Sequence, residues 1–149
     1  MKKMKNDNKG FTLVELIVVL VILAILAAIL VPALLGYIDE AKQKQIVLEG
    51  KSVYTAAQAC ASEMYAKDQD PSTMTDAMKT RILTMADVLD KCTACEIGFE
   101  ASYTKGNHKS YTVNYVKYSV GTAANETIYL SSGTWSSDAA NGANTVTIK

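Results

Sequence analysis

The chain has 149 residues, of which 49% are hydrophobic, and its 15 Lys and Arg residues balance 15 Asp and Glu residues. This length allows one compact domain at most and excludes a large multidomain enzyme. The composition also excludes a disordered, highly charged chain and a strongly basic nucleic-acid-binding protein. Both averages hide uneven distributions, because residues 1–10 carry a local charge of +3 and residues 11–38 include 24 hydrophobic residues.

The apolar block contains 23 consecutive uncharged residues, Leu16 to Ile38. As a helix rising about 1.5 Å per residue it would be about 34 Å long, which spans the hydrocarbon core of a bilayer. A chain of this size cannot surround such a helix with other protein, so the block is predicted to be a transmembrane helix. No two of its small residues have the A-x-A spacing of a signal peptidase site. We therefore expect the segment to be retained, with the lysine-rich end in the cytoplasm.

The junction between the basic leader and the apolar block reads KGFTLVEL over residues 9–16. This sequence resembles the prepilin signature shared by type IV pilins and by the pseudopilins of type II secretion and competence systems. The resemblance implies that a prepilin peptidase cleaves between Gly10 and Phe11 and methylates the new amino group of Phe11. It divides the chain into a cleaved leader (1–10), a transmembrane and filament-core helix (11–38) and a globular head domain (39–149).

Glu15 places a carboxylate one turn inside the apolar segment. Such a charge costs at least about a few kcal/mol unless it is paired. After cleavage, the basic α-amino group of Phe11 lies four residues before Glu15, so an ion pair between the two within one chain is one alternative. The resemblance implies instead that Glu15 neutralises Phe11 of a neighbouring subunit, which makes both residues filament-assembly residues. A snorkelling carboxylate without a partner is the remaining alternative.

Pro32 and Gly36 lie inside the predicted membrane helix, where both residue types weaken helical structure. A bend or a melted stretch is therefore expected there. The resemblance implies that this segment can unwind when subunits pack in the filament. A passive kink tolerated within the membrane is the alternative.

Helical periodicity continues beyond the membrane block and predicts one helix from about Thr12 to Tyr65. Its second half is amphipathic and must pack on something downstream. The apolar stripe consists of Ile46, Gly50, Val53, Ala57, Cys60 and Met64. Asp70-Pro71 is typical of a helix start, and a second helix is predicted over about 71–91. Its apolar face would carry Met74, Met78, Ile82, Met85 and Leu89.

The pattern changes to period two from Glu96, which predicts a half-buried strand that continues to Tyr103. A turn at residues 105–107 and further strands over 110–120, 127–131 and 145–148 follow. Helices followed by strands predict an α+β fold, with an antiparallel sheet on the exposed half of the long helix. This architecture matches the pilin fold, although only the first thirty or so residues carry motifs of the family.

Three cysteines, Cys60, Cys92 and Cys95, would reach an oxidising surface if this topology holds. One disulfide is expected to tie the long helix to the connecting region, from Cys60 to Cys95 or to Cys92, although all three pairings remain open. Many Gram-negative pilins close a C-terminal loop with a cysteine pair, and this chain departs from that pattern. A zinc or redox element that adds His108 is the alternative, but a single C-x-x-C is a weak signal, so no metal or cofactor is expected.

No catalytic motif is present, and the resemblance implies a structural subunit rather than an enzyme. Its expected partners are further copies of itself, the prepilin peptidase and methyltransferase, the pilus assembly machinery and the membrane. The protein would be a single-pass membrane precursor and then part of an extracellular pilus that serves adhesion or motility. A pseudopilin is the alternative. A remote alternative is a membrane-anchored minor pilin that binds DNA or another ligand through a small basic face of Lys105, Lys109 and Lys117. No nucleic acid partner is expected, because residues 11–149 carry a net charge of −3.

Overall fold

The computed structural model of this protein describes residues 10–137 and 144–149. The chain divides into two units, residues 1–40 and 41–149. Helix α1 covers Leu13–Ala66, within one residue of the predicted helix at each end. Helical structure continues through Pro32 and Gly36 in the single chain, where no melted stretch is present, and the helix break on filament packing stays a prediction. Because a proline removes only one backbone hydrogen bond, the leucine-, isoleucine- and alanine-rich residues around it keep the helix formed.

The second half of α1 supplies the helical side of the core in the second unit. All six residues of the predicted apolar stripe are buried, and Val53, Ala57 and Cys60 are at most 1% exposed. Apolar residues that repeat every three to four positions lie on one face of a helix, which is why the spacing identified the buried face. The prediction of an inward-facing amphipathic half-helix is therefore confirmed.

The predicted second helix is present but shorter than expected. Asp70 begins a single 3₁₀ turn, Pro71–Thr73, and its carboxylate accepts a hydrogen bond from the Ser72 N–H at 2.8 Å. Helix α2 then covers only Asp76–Met85, with Thr75 as a separate N-cap residue. A threonine hydroxyl that bonds to a nearby backbone N–H competes with a continuous helix, and this explains the interruption.

Helix α2 ends well before residue 91 because its C-terminus is capped. Asp87 adopts a left-handed conformation with φ of +56°, and the Val88 N–H donates to the Leu83 carbonyl at 3.0 Å. This is a Schellman arrangement, in which the residue after the left-handed one closes the last turn. The predicted apolar face is consequently wrong at its end, because Met85 is 52% exposed and Leu89 is 38% exposed.

The C-terminal part of the chain forms one five-stranded antiparallel sheet in the order β4-β3-β2-β1-β5. The strands are β1 Ala94–Phe99, β2 Val113–Ser119, β3 Thr127–Ser131, β4 Thr134–Ser136 and β5 Thr145–Thr147. Strand β1 has a register shift between Gly98 and Phe99 and ends at Phe99, before the predicted Tyr103. Residues 100–112 form a loop with a 3₁₀ turn, and β4 is an additional strand that the sequence did not predict.

The sheet packs on the second half of α1, which confirms the predicted α+β, pilin-like architecture. Side chains at alternate positions of the central strands face the helix and are buried. They include Cys95, Ile97, Val116, Tyr118, Ile128 and Leu130. Tyr118 also forms a polar link, because its hydroxyl donates to Glu49 Oε2 on α1 at 2.9 Å. Burial and this hydrogen bond raise the pKa of the Tyr118 phenol.

Candidate assembly site

The Gly10–Phe11 peptide bond lies just outside helix α1. Residues 10–12 have no helical or strand structure, and the helix begins at Leu13. The Phe11 side chain is 82% exposed, and no described atom lies within 4 Å of the position of a Cβ on Gly10. Backbone that is exposed and free of secondary structure is the preferred form of a proteolytic site. The bond is therefore accessible to a peptidase without prior unwinding of the helix.

Thr12 and Glu15 together form a capping box at the start of α1. The backbone N–H and the hydroxyl of Thr12 both donate to Glu15 Oε2, at 2.9 Å and 2.7 Å. In return, the Glu15 N–H donates to Thr12 Oγ1 at 3.2 Å. Such reciprocal bonds satisfy N–H groups that the first turn of a helix leaves without partners. The Glu15 carboxylate therefore has a partner in the uncleaved chain, so the unpartnered alternative does not describe this form.

The capping box fixes where the helix begins and leaves one carboxylate oxygen available. Among the residues that the structure describes, Glu15 Oε2 accepts both Thr12 bonds and no partner is found for Oε1. The T-x-x-E spacing that is typical of a capping box is present in the sequence at residues 12–15. Thr12 is part of the KGFTLVEL signature, but its role as the capping partner of Glu15 was not predicted from the sequence.

The first half of α1 presents apolar side chains in every direction. Its large hydrophobic residues between Leu16 and Ile38 are 48–70% exposed. The described part of the chain contains one helix long and apolar enough to cross a membrane, α1, whose most apolar stretch has a mean hydropathy of 3.3 and no buried residue. A helix that is hydrophobic all round is stable only in lipid or among other apolar helices.

Comparison with protein-family models matches residues 5–31 to the prokaryotic N-terminal methylation motif. The chain carries that motif. The motif is typical of type IV pilins and pseudopilins and indicates a membrane precursor that is processed by a prepilin peptidase for pilus-type assembly. No curated protein and no solved structure matches the chain. The methylation motif covers less than a fifth of the chain, and its matched residues include the whole KGFTLVEL junction.

The three cysteines downstream of the methylation motif are all free and buried. The structure therefore does not support the predicted disulfide between Cys60 and Cys95, or between Cys60 and Cys92. Cys60 lies near the Glu63 and Arg81 charges, and burial raises the pKa of its thiol. Cys92 and Cys95 are instead close to each other, and the hydrogen bond that the Cys95 thiol donates to the Cys92 sulfur raises the pKa of Cys95, as does its burial. The C-x-x-C spacing keeps Cys92 and Cys95 close along the chain. A bond from either residue to Cys60 on α1 depends on tertiary packing, which no local spacing predicts.

The described residues do not support the alternatives of a metal site or a nucleic-acid-binding site. No group of three or more His, Cys, Asp or Glu side chains suited to a metal ion occurs within residues 10–137 and 144–149. The three lysines of the proposed basic face each pair with a carboxylate. The pairs are Lys105 with Asp68 at 2.5 Å, Lys109 with Glu100 at 2.8 Å and Lys117 with Glu96 at 3.0 Å. Each carboxylate raises the pKa of its lysine and neutralises its charge, so these lysines do not form a free basic patch.

Proposed function

We propose that this chain is the structural subunit of a type IV pilus, a pilin without enzymatic activity that polymerises after leader cleavage and N-methylation. The observation that carries the proposal is the methylation motif followed directly by a half-helix that is apolar and exposed on every side. An anchor for a membrane-bound enzyme would need neither an open peptide bond at Gly10 nor a carboxylate at Glu15. Both features have a use in a subunit that leaves the membrane.

Cleavage changes the electrostatics of the N-terminus. The leader carries a net charge of +3, and its removal leaves a new ammonium group on Phe11 and a mature chain with a net charge of −3. A secondary amine remains basic, so N-methylation keeps this positive charge. An ammonium and a carboxylate near the membrane interior are each costly alone and much less costly together. Glu15 Oε1 is the oxygen that we assign to the Phe11 ammonium of a neighbouring subunit.

Burial of the apolar half-helix supplies the driving force once subunits leave the bilayer. Each large apolar side chain that moves from water into a helix bundle contributes about 1.5–3 kcal/mol. Residues 11–38 are proposed to form the core of the filament, with a helix break at Pro32 and Gly36 that appears on packing. Residues 39–149 are proposed to form its outer surface, which would serve adhesion, motility or related functions outside the cell. The assembly machinery and the prepilin peptidase, which is also the methyltransferase, are the proposed partners.

Intact-mass measurement of the protein from wild-type cells tests the processing step. We expect a mass that corresponds to residues 11–149 plus about 14 Da for one methyl group on Phe11. The Gly10→Val variant should accumulate in the membrane with residues 1–10 still attached. A surface protein that retains the leader would contradict the proposal.

A pseudopilin of a type II secretion or competence system is the second candidate. The methylation motif is typical of pilins and of pseudopilins, so it favours neither. Electron microscopy of cells at natural expression levels separates the two functions. Long surface fibres labelled by an antibody to residues 41–149 support the pilus. Fibres confined to the cell envelope, together with a secretion or DNA-uptake defect in the deletion strain, support the pseudopilin.

A further inference from the structure

The second unit contains a cavity of about 480 Å³ at one end of the sheet, on the side of the sheet that faces α1. Ligand pockets for small molecules begin at about 300 Å³, so this volume suits one small-molecule group. Eight residues line the cavity. They are Tyr54, Glu100, Val113, Asn114, Leu130, Ser132, Gly133 and Trp135.

The walls of this cavity are held in place by the fold. Trp135 on β4 packs against Gly50 of α1, where a Cβ would lie 2.8 Å from its Cζ3 atom. The β3–β4 turn places Ser132 and Gly133 at φ values of +50° and +87°, the combination typical of a tight two-residue hairpin. Tyr54 approaches from α1 itself. A pocket built on a helix, a strand and a tight turn is largely formed before any ligand arrives.

The lining combines aromatic surfaces with hydrogen-bonding groups. Tyr54 and Trp135 line the cavity and are each partly exposed, and the buried side chains of Val113 and Leu130 add apolar surface to the lining. The side-chain amide of Asn114 makes no hydrogen bond to any residue in the described ranges, although its backbone carbonyl accepts one from the Ser132 N–H at 3.2 Å. An amide of this kind offers two donors and an acceptor to a ligand.

The charge of the site narrows the class of ligand. Glu100 is the one ionisable group in the lining other than the tyrosine, and its carboxylate pairs with Lys109 at 2.8 Å. The site therefore presents no unbalanced charge that would favour an anion or a cation. A neutral ligand with one apolar face and several hydroxyl groups fits aromatic walls, an unpaired amide and a serine hydroxyl together.

We propose that this cavity binds a neutral sugar ring, the terminal residue of a glycan, between Tyr54 and Trp135 with hydrogen bonds to Asn114. The carbon–hydrogen face of the sugar would lie on the aromatic rings, and neighbouring hydroxyl groups would bond to the amide. This proposal stands apart from polymerisation, because every residue in it belongs to the second unit. A chain that never forms filaments would still bind.

Trp135 is the one tryptophan of the sequence, so its fluorescence reports directly on the cavity. The test titrates the full-length chain, in a polyoxyethylene detergent that contains neither sugar nor charge, with methyl glycosides of glucose, galactose, mannose and N-acetylglucosamine. We expect a saturable change with at least one glycoside below about 100 mM. The Asn114→Ala variant should bind at least about tenfold more weakly. Asn125→Ala, at the other end of β3, should bind as the wild type does.

The absence of a saturable change with all four glycosides would overturn the proposal. Equal binding by Asn114→Ala and the wild type would also overturn it, as would a response to choline or acetate with none to the glycosides. A measurement without substitution covers the case in which Asn114→Ala does not fold. Saturating glycoside should protect Trp135 of the wild type from quenching by acrylamide, and unchanged quenching would contradict binding at this cavity.

Discussion

Gly50 on α1 and Trp135 on β4 are in direct contact, and the contact leaves no room for a side chain at position 50. A Cβ there would lie 2.6 Å from Ile128 Cδ1 and 2.8 Å from Trp135 Cζ3. Glycine weakens a helix by about 1 kcal/mol relative to alanine, so Gly50 lowers the intrinsic stability of α1. The close approach of the indole ring explains why the helix carries glycine here.

The Gly50→Ala substitution is therefore expected to destabilise the second unit. Overpacking costs about 1–3 kcal/mol, which exceeds or matches the helix propensity gained from alanine. Denaturant unfolding followed by Trp135 fluorescence should show a lower midpoint. Gly36→Ala is the matched control, because no described atom lies within 4 Å of its Cβ position. A Gly50→Ala protein more stable than the wild type would show that the contact is not tight.

Glu63 on α1 and Arg81 on α2 form a two-pronged ion pair, with N–O distances of 2.6 Å and 2.7 Å. The Arg81 guanidinium lowers the pKa of Glu63 from its ordinary value of 4.5. Because the folded state binds this proton more weakly than the unfolded state, the pair stabilises the fold above about pH 4.5. That stabilisation is lost as the pH falls through the lowered pKa.

Urea unfolding of the wild type and of Glu63→Gln between pH 7 and pH 3 tests this linkage. We expect the two proteins to differ most at pH 7 and to converge as the pH falls below 4.5. Other carboxylates titrate equally in both proteins, so the difference between the two curves isolates Glu63. A constant difference across this range would contradict the role of the ion pair.

Tyr111 carries a buried hydroxyl without a hydrogen-bond partner among the described residues. Its ring packs edge-on against Tyr65 and Tyr103, at centroid distances of 5.1 Å and 6.1 Å, and burial raises the pKa of its phenol to about 12. An unsatisfied buried hydroxyl costs about 1–3 kcal/mol, so Tyr111→Phe should leave stability unchanged or raise it by about 1 kcal/mol. Tyr111→Ala should lose about 3–5 kcal/mol through the cavity it creates. Thermal unfolding of both variants measures this, and a strongly destabilised Tyr111→Phe would reveal a partner for the hydroxyl.

The three cysteines should behave as buried thiols. Cys60, Cys92 and Cys95 are each at most 2% exposed. Maleimide added to the native, non-reduced protein should label none of them rapidly, and labelling after denaturation without reductant should add three labels per chain. Mass spectrometry counts the labels. One label per denatured chain would mean that a disulfide forms in the cell.

Regular patterns in the sequence predicted the parts of the fold that depend on periodicity. The stripe from Ile46 to Met64 is spaced to lie on one helix face, and β3 contains alternating residues with clear turn signals on both sides. The end of α2 could not be predicted in this way, because the residue that caps it, Asp87, adopts a conformation usually taken by glycine. Strand β4 has a single hydrophobic residue, Trp135, and therefore no alternation, whereas Val146 of the predicted β5 alternates with Ile148.

The candidate sites also divide into those marked by a local sequence pattern and those formed only by the tertiary fold. The methylation junction is a local motif and was recognised from residues 9–16 alone. The pairing of Lys105, Lys109 and Lys117 depends on carboxylates between nine and 37 positions away, and no spacing rule connects them. The cavity beside Trp135 brings together α1, β2 and the β3–β4 turn. Such combinations follow from the tertiary fold and leave no pattern along the chain.

Filament formation by Glu15→Ala cells is the most direct test of the proposal that this chain polymerises through its N-terminal helix. Asp90→Ala is the matched control, since it removes an exposed carboxylate in the second unit. We expect Glu15→Ala protein to reach the membrane in normal amounts but to form no filaments, whereas Asp90→Ala forms them normally. Electron microscopy of sheared surface fractions, with immunoblots of the membrane, measures both. Normal filaments from Glu15→Ala cells would contradict the account.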